Sequence, residues 1–257
     1  MTAARRSRRS PAATAAPGTG ERGEEKLAHL LATAARLMAE QGYDQTTIRH
    51  VGRATGYSLA GMYYYFESKE DLLFQIQQRT FASLLAEQER EVASASSAQE
   101  RLERLVRSYL DFYVRNAAAL KVCTFELESL AGEQYATIEA LRHRWFRLAR
   151  GIVGELLGVS DGRAASSATV RHYTLFVFGM LNWVFLWFDP DRDGPVDRVA
   201  DQMLQLILHG LPPDGRVGTG GSGGVARRRR GAASRRGTRT ARPHGSRRTA
   251  AGRGDRS

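Results

Sequence analysis

Apolar residues recur at helical spacing along most of the chain, and short polar or glycine-containing breaks separate the apolar runs. The first run predicts a helix over 24–41, and Gly42 follows it where a left-handed C-terminal residue belongs. The later runs predict five further helices, at about 99–116, 118–130, 133–157, 164–188 and 196–210. Strand-like alternation of useful length is absent, so the predicted fold class is all-α.

Two short helices are predicted between the first helix and a long fourth one. Thr47 is suited to cap a short second helix, which Gly56 ends. Ser58 can cap a third helix, which must stay short because Ser68 offers the next cap ten residues later. Ser68 opens a fourth helix over about 69–92. Two short helices joined by a glycine-containing turn have the outline of a helix-turn-helix unit.

The stretch YSLAGMYYYFESKEDLL (57–73) shows which side of the third helix faces outward. Met62 and Phe66 lie about 40° apart on a helix and face the core together. The residues left on the outward side and its flanks are Leu59, Ala60, Gly61, Tyr63, Tyr64 and Tyr65. Small residues allow a helix to approach base edges in a major groove, and tyrosine hydroxyls reach phosphate oxygens.

The charged residues after the tyrosines begin the fourth helix. Glu70 and Asp71 in its first turn favour the positive end of the helix dipole, and Lys69 is left free to reach a phosphate. The predicted DNA-binding residues are Thr47, Arg49, Ser58, Leu59, Ala60, Gly61, Tyr63, Tyr64, Tyr65 and Lys69. The alternatives are that the tyrosines pack against the first helix, that Thr47 is only a cap, and that Arg49 is a solvated charge.

The segment AARLMAEQGYDQTTIRHVGRATGYSLAGMYYYFESKEDLL (34–73) closely resembles the DNA-binding region of TetR-family transcriptional regulators. The resemblance implies a DNA-binding domain over 24–70 and a helical effector-binding and dimerisation domain over 71–211. It also implies a homodimer on a palindromic double-stranded operator, from which a small effector releases it. Members often carry Ala, Ala and Lys where this chain has Gly52, Thr55 and Leu59. The first two differences are expected to loosen helix packing slightly.

By the same resemblance, the last two helices form the dimer interface. The segment TLFVFGMLNWVFLWF (174–188) is apolar nearly all round, which requires burial against more than one neighbour. An intramolecular core helix is the alternative. Gly179 permits close backbone approach.

The effector pocket is expected among the aromatic residues of the larger domain. The candidates are Tyr109, Phe112, Tyr113, Cys123, Phe125, Trp145, Phe146, Tyr173, Phe176 and Trp183. Resemblance to lipid-responsive TetR regulators favours a large apolar or acyl-thioester (acyl-CoA-like) effector. Arg142 and His143 are suited to meet an anionic group, although a solvated helix face also explains them.

The charge is distributed unevenly along the chain. Of the formal net charge of +11, residues 1–23 carry +4 and residues 212–257 carry +11, so 24–211 carries −4. Both basic tails are low in large apolar residues and are expected to be disordered. They are either solvated extensions or non-specific phosphate-binding arms. The alternative function is therefore an architectural DNA-binding protein that acts through its arginine-rich tails.

Other classes of protein are disfavoured by the residues present. Cys123 is the single cysteine, which favours a core thiol in an intracellular, cytoplasmic setting. The histidines show no metal-ligand spacing, and no phosphate-cradling glycine loop is present. We expect no enzyme activity, no metal and no cofactor. The N-terminus lacks an apolar signal-peptide core, and the 174–188 run is too short to cross a membrane.

Overall fold

The computed structural model describes residues 20–159, 161–164 and 166–211. These ranges form helices and no strands, which confirms the all-α prediction. The elements in chain order are α1 (Glu21–Gln41), α2 (Ile48–Thr55), α3 (Leu59–Met62), α4 (Lys69–Ala93), α5 (Ala98–Phe125), α6 (Gly132–Leu156), α7 (Asp161–Ala164), α8 (Ala168–Asn182), α9 (Pro190–Asp193) and α10 (Val196–His209). Of the predicted disordered tails, 1–19 and 212–257 lie outside the described residues. Residues 21–23 belong to α1, so the prediction of disorder is wrong for them.

The N-terminal part forms around the buried face of α1. Leu30 and Ala34 are fully buried there, and α1 packs against α2, α4 and α5. Val51 from α2 and Met62 from α3 are also fully buried, so the two short helices are held by the same core. Met62 and Phe66 are both buried in this core, as predicted, although Phe66 lies beyond the end of α3.

The larger part is a bundle in which α4 and α5 are central. The α4 helix packs along α5 and α6, while α8 packs on α6 and α10 packs on α5. Each long helix buries an apolar stripe, which explains why the sequence repeats at helical spacing. One hydrophobic core runs from α1 into α5, so the core shows no boundary at residue 70. The division into two domains at that residue stays a prediction.

Four predicted helices have different limits in the structure. The break expected near residue 117 is a kink inside α5, where Asn116 leaves helical geometry (φ −133°, ψ 26°) but the helix continues to Phe125. The predicted 164–188 helix is interrupted, because α8 stops at Asn182 and a 3₁₀ turn, Val184–Leu186, follows. The α3 helix ends at Met62, so the tyrosines follow the helix instead of extending it. No helix in the described ranges is long and apolar enough to cross a membrane.

Candidate DNA-binding surface and effector cavity

Three side-chain caps fix the short helices. The Thr47 hydroxyl accepts from the His50 amide at 3.2 Å at the start of α2. Ser58 accepts from the Gly61 amide at 3.2 Å in α3, and Ser68 accepts from the Asp71 amide at 3.0 Å in α4. Each hydroxyl satisfies one of the free amides of a helix N-terminus, as predicted.

The crossing of α2 and α3 depends on a glycine. A Cβ at Gly52 would lie 2.9 Å from the Met62 sulfur and 3.1 Å from the Tyr57 carbonyl oxygen. Gly52 is buried and allows the two helices to approach closely. The expectation that this glycine loosens the packing is therefore wrong.

Most of the predicted DNA-facing side chains are exposed. Tyr63 and Tyr64 are 53% and 52% exposed, and Tyr65 is half-buried with its ring edge-on to Tyr64 at 5.1 Å. The remaining exposed members of the set are Thr47, Arg49, Ser58, Leu59, Ala60 and Gly61. An exposed surface of hydroxyl and aromatic side chains, carried by two core-anchored helices and the turn after α3, is suited to a groove of duplex DNA. Contact of these residues with DNA stays a prediction.

Lys69 differs from its expected state. Its ammonium donates to the carbonyl oxygens of Tyr43 at 3.1 Å and Asp44 at 3.4 Å, and lies 4.0 Å from the centre of the Tyr43 ring. The prediction that Lys69 is left free is wrong, because this side chain ties the start of α4 to the end of α1. Its positive charge is nevertheless held beside the α4 N-terminus.

A cavity of about 850 Å³ lies in the larger part of the chain. Its wall is built by α4, α5, α6 and α8 together with the 3₁₀ turn Leu127–Ser129. The lining residues are Phe81, Leu84, Tyr109, Leu120, Cys123, Thr124, Leu127, Glu139, Ala140, Arg142, His143, Trp145, Phe146, Arg147, Arg150, Arg171, Leu175, Phe178 and Asn182. A volume of this size accommodates a drug-sized ligand.

The structure gathers only part of the predicted pocket. Of the ten candidates, those that line the cavity are Tyr109, Cys123, Trp145 and Phe146. Phe112 and Tyr113 are buried in the core away from its wall. The four that are exposed on the surface are Phe125, Tyr173, Phe176 and Trp183. The prediction that these last six residues line the cavity is corrected, since helical aromatic patterns do not reveal which neighbour each ring meets.

The cavity has a strongly basic side that the sequence reasoning missed in part. Arg142 and His143 were singled out, whereas Arg147, Arg150 and Arg171 were not. The signal was the segment RHRWFRLAR (142–150), in which four arginines surround an aromatic pair. The acidic residue among the lining side chains is Glu139, whose carboxylate lies 3.5 Å from the His143 imidazole. The electrostatic balance of this side favours an anionic ligand.

Arg142 joins the cavity wall to the end of α5. Its guanidinium donates to the Cys123 carbonyl oxygen at 3.0 Å and lies 5.6 Å from the centre of the Phe81 ring. This carbonyl is in the last turn of α5, where no intrahelical donor follows. Burial raises the pKa of the Cys123 thiol to about 12, so the thiol stays protonated and is a core group rather than a nucleophile.

The part of α5 after the kink contacts the cavity on one side and the N-terminal part of the chain on the other. Leu120 and Cys123 line the cavity on one side. On the other, the Lys121 ammonium donates to the Ala39 carbonyl oxygen of α1 at 2.7 Å. The Glu126 carboxylate just beyond α5 accepts from the backbone amide of Tyr43 at 3.4 Å. Residues 117–126, here called the linking segment, therefore touch both the cavity and the predicted DNA-binding domain, at Ala39 of α1 and at Tyr43 just after it.

Comparison with known proteins agrees with this arrangement. Residues 30–76 match the family model of bacterial regulatory proteins of the tetR family, and residues 95–211 match a tetracyclin repressor-like C-terminal domain. The chain is 30% identical over 184 residues to the HTH-type transcriptional repressor KstR2 of Rhodococcus jostii, covering 71% of this chain and 89% of that protein.

Two further similarities extend over most of the described residues. The chain is 21% identical to the fatty acid metabolism regulator protein of Bacillus subtilis, covering 72% of this chain and 95% of that protein. A TetR-family transcriptional regulator from Bordetella parapertussis has a similar structure, with a TM-score of 0.67 and 26% identity over 73% of this chain and 96% of that one. The chain belongs to the TetR family and is a helix-turn-helix transcriptional repressor of that family.

Proposed function

We propose that this repressor is released from a palindromic operator when an acyl thioester, such as an acyl-coenzyme A, occupies the α4–α8 cavity. The observation that carries the proposal is the linking segment, because one stretch of α5 contacts both the cavity and α1. A ligand that changes the position of this segment has different affinities for the two states of the DNA-binding unit, which is the requirement for allosteric release.

The chemistry of the wall supports the class of effector. Aromatic and aliphatic side chains supply an apolar surface for an acyl chain, and the basic side supplies four arginines. Arginine pairs well with phosphate oxygens, and the coenzyme A moiety carries several phosphate charges. The similarity to a regulator named for fatty acid metabolism is in keeping with such a ligand.

The α4 helix offers a second connection. Phe81 and Leu84 line the cavity from the middle of α4. Near its start, the Gln75 side-chain amide donates to the Tyr65 carbonyl oxygen at 2.9 Å, beside the predicted DNA surface. A shift of α4 in response to a ligand therefore reaches the tyrosines directly.

A homodimer is the second part of the proposal. Large apolar side chains are exposed on α8, on the turn that follows it and on α10, and those at the surface include Tyr173, Leu175, Phe176, Trp183, Leu186, Trp187 and Leu206. An apolar surface of this kind on a soluble protein marks an interface. A two-fold dimer sets its two α3 helices about 34 Å apart, which is one turn of B-DNA.

The dimer is tested by changing its most exposed aromatic residue. Phe176 is 63% exposed, so Phe176→Glu places a charge in the proposed interface without disturbing the monomer core. Light scattering after size exclusion is expected to give a dimer for the wild type and a monomer for the variant. A wild-type monomer, or a Phe176→Glu dimer of unchanged stability, contradicts the proposed interface.

The release mechanism is tested with Lys121→Met. This change removes the bond to the Ala39 carbonyl but leaves every cavity-lining residue in place. Operator fragments are first selected from random DNA, and release by octanoyl-coenzyme A is then titrated. We expect the variant to bind the ligand with wild-type affinity but to lose most of its coupling, which is typically about 5- to 150-fold in operator affinity.

The matched control is Lys26→Met, which changes an exposed lysine near the start of α1. It is expected to leave both ligand affinity and coupling unchanged. Full release of Lys121→Met from the operator by the ligand contradicts the role of the linking segment. Failure of every acyl-coenzyme A to bind the wild type contradicts the effector class.

A further inference from the structure

The guanidinium of Arg142 is tied to the protein backbone along one edge only. Its Nη1 donates to the Cys123 carbonyl oxygen at 3.0 Å. The other two nitrogens, Nε and Nη2, donate to no residue that the structure describes, yet neither of them is sealed from solvent. Arg142 is half-buried and lines the cavity. These two nitrogens, here called the open edge, are therefore accessible to a ligand.

The positive charge of Arg142 has no carboxylate partner within the described ranges. Glu139, the acidic lining residue one turn earlier, lies 3.5 Å from His143 instead. Two positions further along α6, Arg144 does form an ion pair, with Glu89 at 2.7 Å. The N–H groups of a guanidinium fit the oxygens of a carboxylate or phosphate with two parallel hydrogen bonds. A half-buried guanidinium without a counter-ion therefore favours a ligand that carries an anionic oxygen.

The bond to Cys123 places this guanidinium at the C-terminal end of α5, inside the linking segment. Two further contacts hold the same end. The fully buried Gln77 of α4 donates to the Glu126 carbonyl oxygen at 3.0 Å, and the Glu126 carboxylate accepts from the Tyr43 amide at 3.4 Å. Of the side chains that make these three contacts, Arg142 is the one that lines the cavity. A ligand in the cavity therefore reaches the end of α5 through Arg142.

We propose that the open edge of Arg142 binds an anionic oxygen of the effector, and that this guanidinium couples the bound anion to the linking segment through the Cys123 carbonyl. The inference rests on the proposed function, because it assumes that the effector acts from this cavity. A hydrogen bond to an ionised oxygen is roughly twice as strong as one to a neutral carbonyl, so the bound anion determines where the guanidinium lies. The Cys123 carbonyl then moves with its donor or loses it. Either change gives the two states of α5 different affinities for the ligand.

The first test compares three ligands that share the octanoyl group and differ in charge. Octanoyl-coenzyme A carries phosphates, octanoate carries a carboxylate, and the S-octanoyl thioester of N-acetylcysteamine is uncharged. Each is titrated onto the full-length protein by calorimetry, and release from the selected operator is measured at saturating ligand. We expect the uncharged thioester to bind but to lower operator affinity by less than about threefold. At least one anionic ligand is expected to lower it by about 5- to 150-fold.

The second test compares two arginines of the same cavity wall. Arg142→Met removes the guanidinium and keeps an unbranched side chain. It is expected to weaken binding of the anionic ligands by about tenfold and to reduce release at saturation to less than about threefold. The matched control is Arg147→Met, because Arg147 lines the cavity from the same helix but is exposed and has no hydrogen bond to a described residue of α5. This variant is expected to bind the ligand more weakly but to reach full release at saturation.

Equal release of the wild type by the uncharged thioester and by the anionic ligands overturns the inference but leaves the acyl-thioester effector standing. Full release of Arg142→Met at saturation also overturns it. If that variant fails to fold, as judged by thermal melting, the comparison of ligands on the wild type decides alone. Release by octanoate without any binding of octanoyl-coenzyme A contradicts the thioester class and leaves the role of Arg142 standing. If none of the three ligands binds, the effector class is wrong and this inference falls with it.

Discussion

The predicted DNA-binding surface and the candidate effector cavity are built in different ways from one chain. The predicted DNA-facing residues all lie between positions 47 and 69, and local caps and turns hold them in place. The cavity residues lie between positions 81 and 182, on four helices and a 3₁₀ turn. The local geometry of the first surface is therefore set largely by neighbours in sequence, although Val51 and Met62 anchor it to the core that contains α1. The second is set by tertiary packing. A substitution of one of the several cations of the cavity is expected to act by degrees.

The largest effect is expected from the shared core of the short helices. Met62 is fully buried between α2 and α3. Met62→Ala leaves a cavity and is expected to reduce the free energy of unfolding by about 2–5 kcal/mol, measured by urea denaturation. Tyr64→Ala, at an exposed site two residues beyond the end of α3, is expected to change it by less than about 0.5 kcal/mol. Equal stability of the two variants would contradict the core role of Met62.

A second and smaller effect is expected on operator affinity alone, without a change in the free energy of unfolding. Tyr63 is half exposed and contributes little to the core. Tyr63→Ala is expected to weaken operator binding by about 1–3 kcal/mol while the unfolding free energy stays unchanged. Fluorescence anisotropy with labelled operator measures this, and Tyr63→Phe shows how much of the loss belongs to the hydroxyl. Wild-type operator affinity of Tyr63→Ala would remove this residue from the DNA-binding set.

The difference between the two regions also explains what the sequence predicted well. Thr47, Ser58 and Ser68 were identified as caps because capping depends on the next three residues alone. The cavity depends on which helices meet, and periodicity does not contain that information. Phe176 and Trp145 are both aromatic residues within helical patterns, yet one is on the surface and the other is in the wall.

Lys69 shows the limit of local reasoning even within the DNA-binding region. Its position at the first residue of α4 was correct, but its hydrogen bonds go to Tyr43 and Asp44, about 25 residues earlier. A contact across that separation is decided by how α1 and α4 pack. The same holds for Gly52, whose missing side chain matters only because Met62 lies against it.

A third effect tests the graded behaviour expected of the cavity. Arg147 is exposed on the basic side and is one of several cations there. Arg147→Gln is expected to weaken acyl-coenzyme A binding by about 1 kcal/mol, because the neighbouring arginines keep most of the attraction. Calorimetry at two salt concentrations measures the change. Arg144→Gln is the matched control, since Arg144 is on the same helix but pairs with Glu89 at 2.7 Å outside the cavity. A similar loss in both variants would mean that general charge, rather than the site, sets the affinity.

The smallest expected effect shows whether Arg49 contacts a DNA phosphate or a base edge. Arg49 is exposed on the first turn of α2, directly after the cap residue Thr47 and the half-buried Ile48. A phosphate contact there adds affinity without sequence information, so Arg49→Gln is expected to weaken specific and non-specific duplexes by the same few-fold factor. The slope of log affinity against log salt is expected to fall by about 1. If Arg49→Gln instead weakens only the operator, Arg49 contacts a base edge, and the reading surface extends from α3 onto α2. That result would still keep the surface within one local segment of the chain, because Thr47 fixes the start of α2 and the Gly52–Met62 contact fixes its distance from α3.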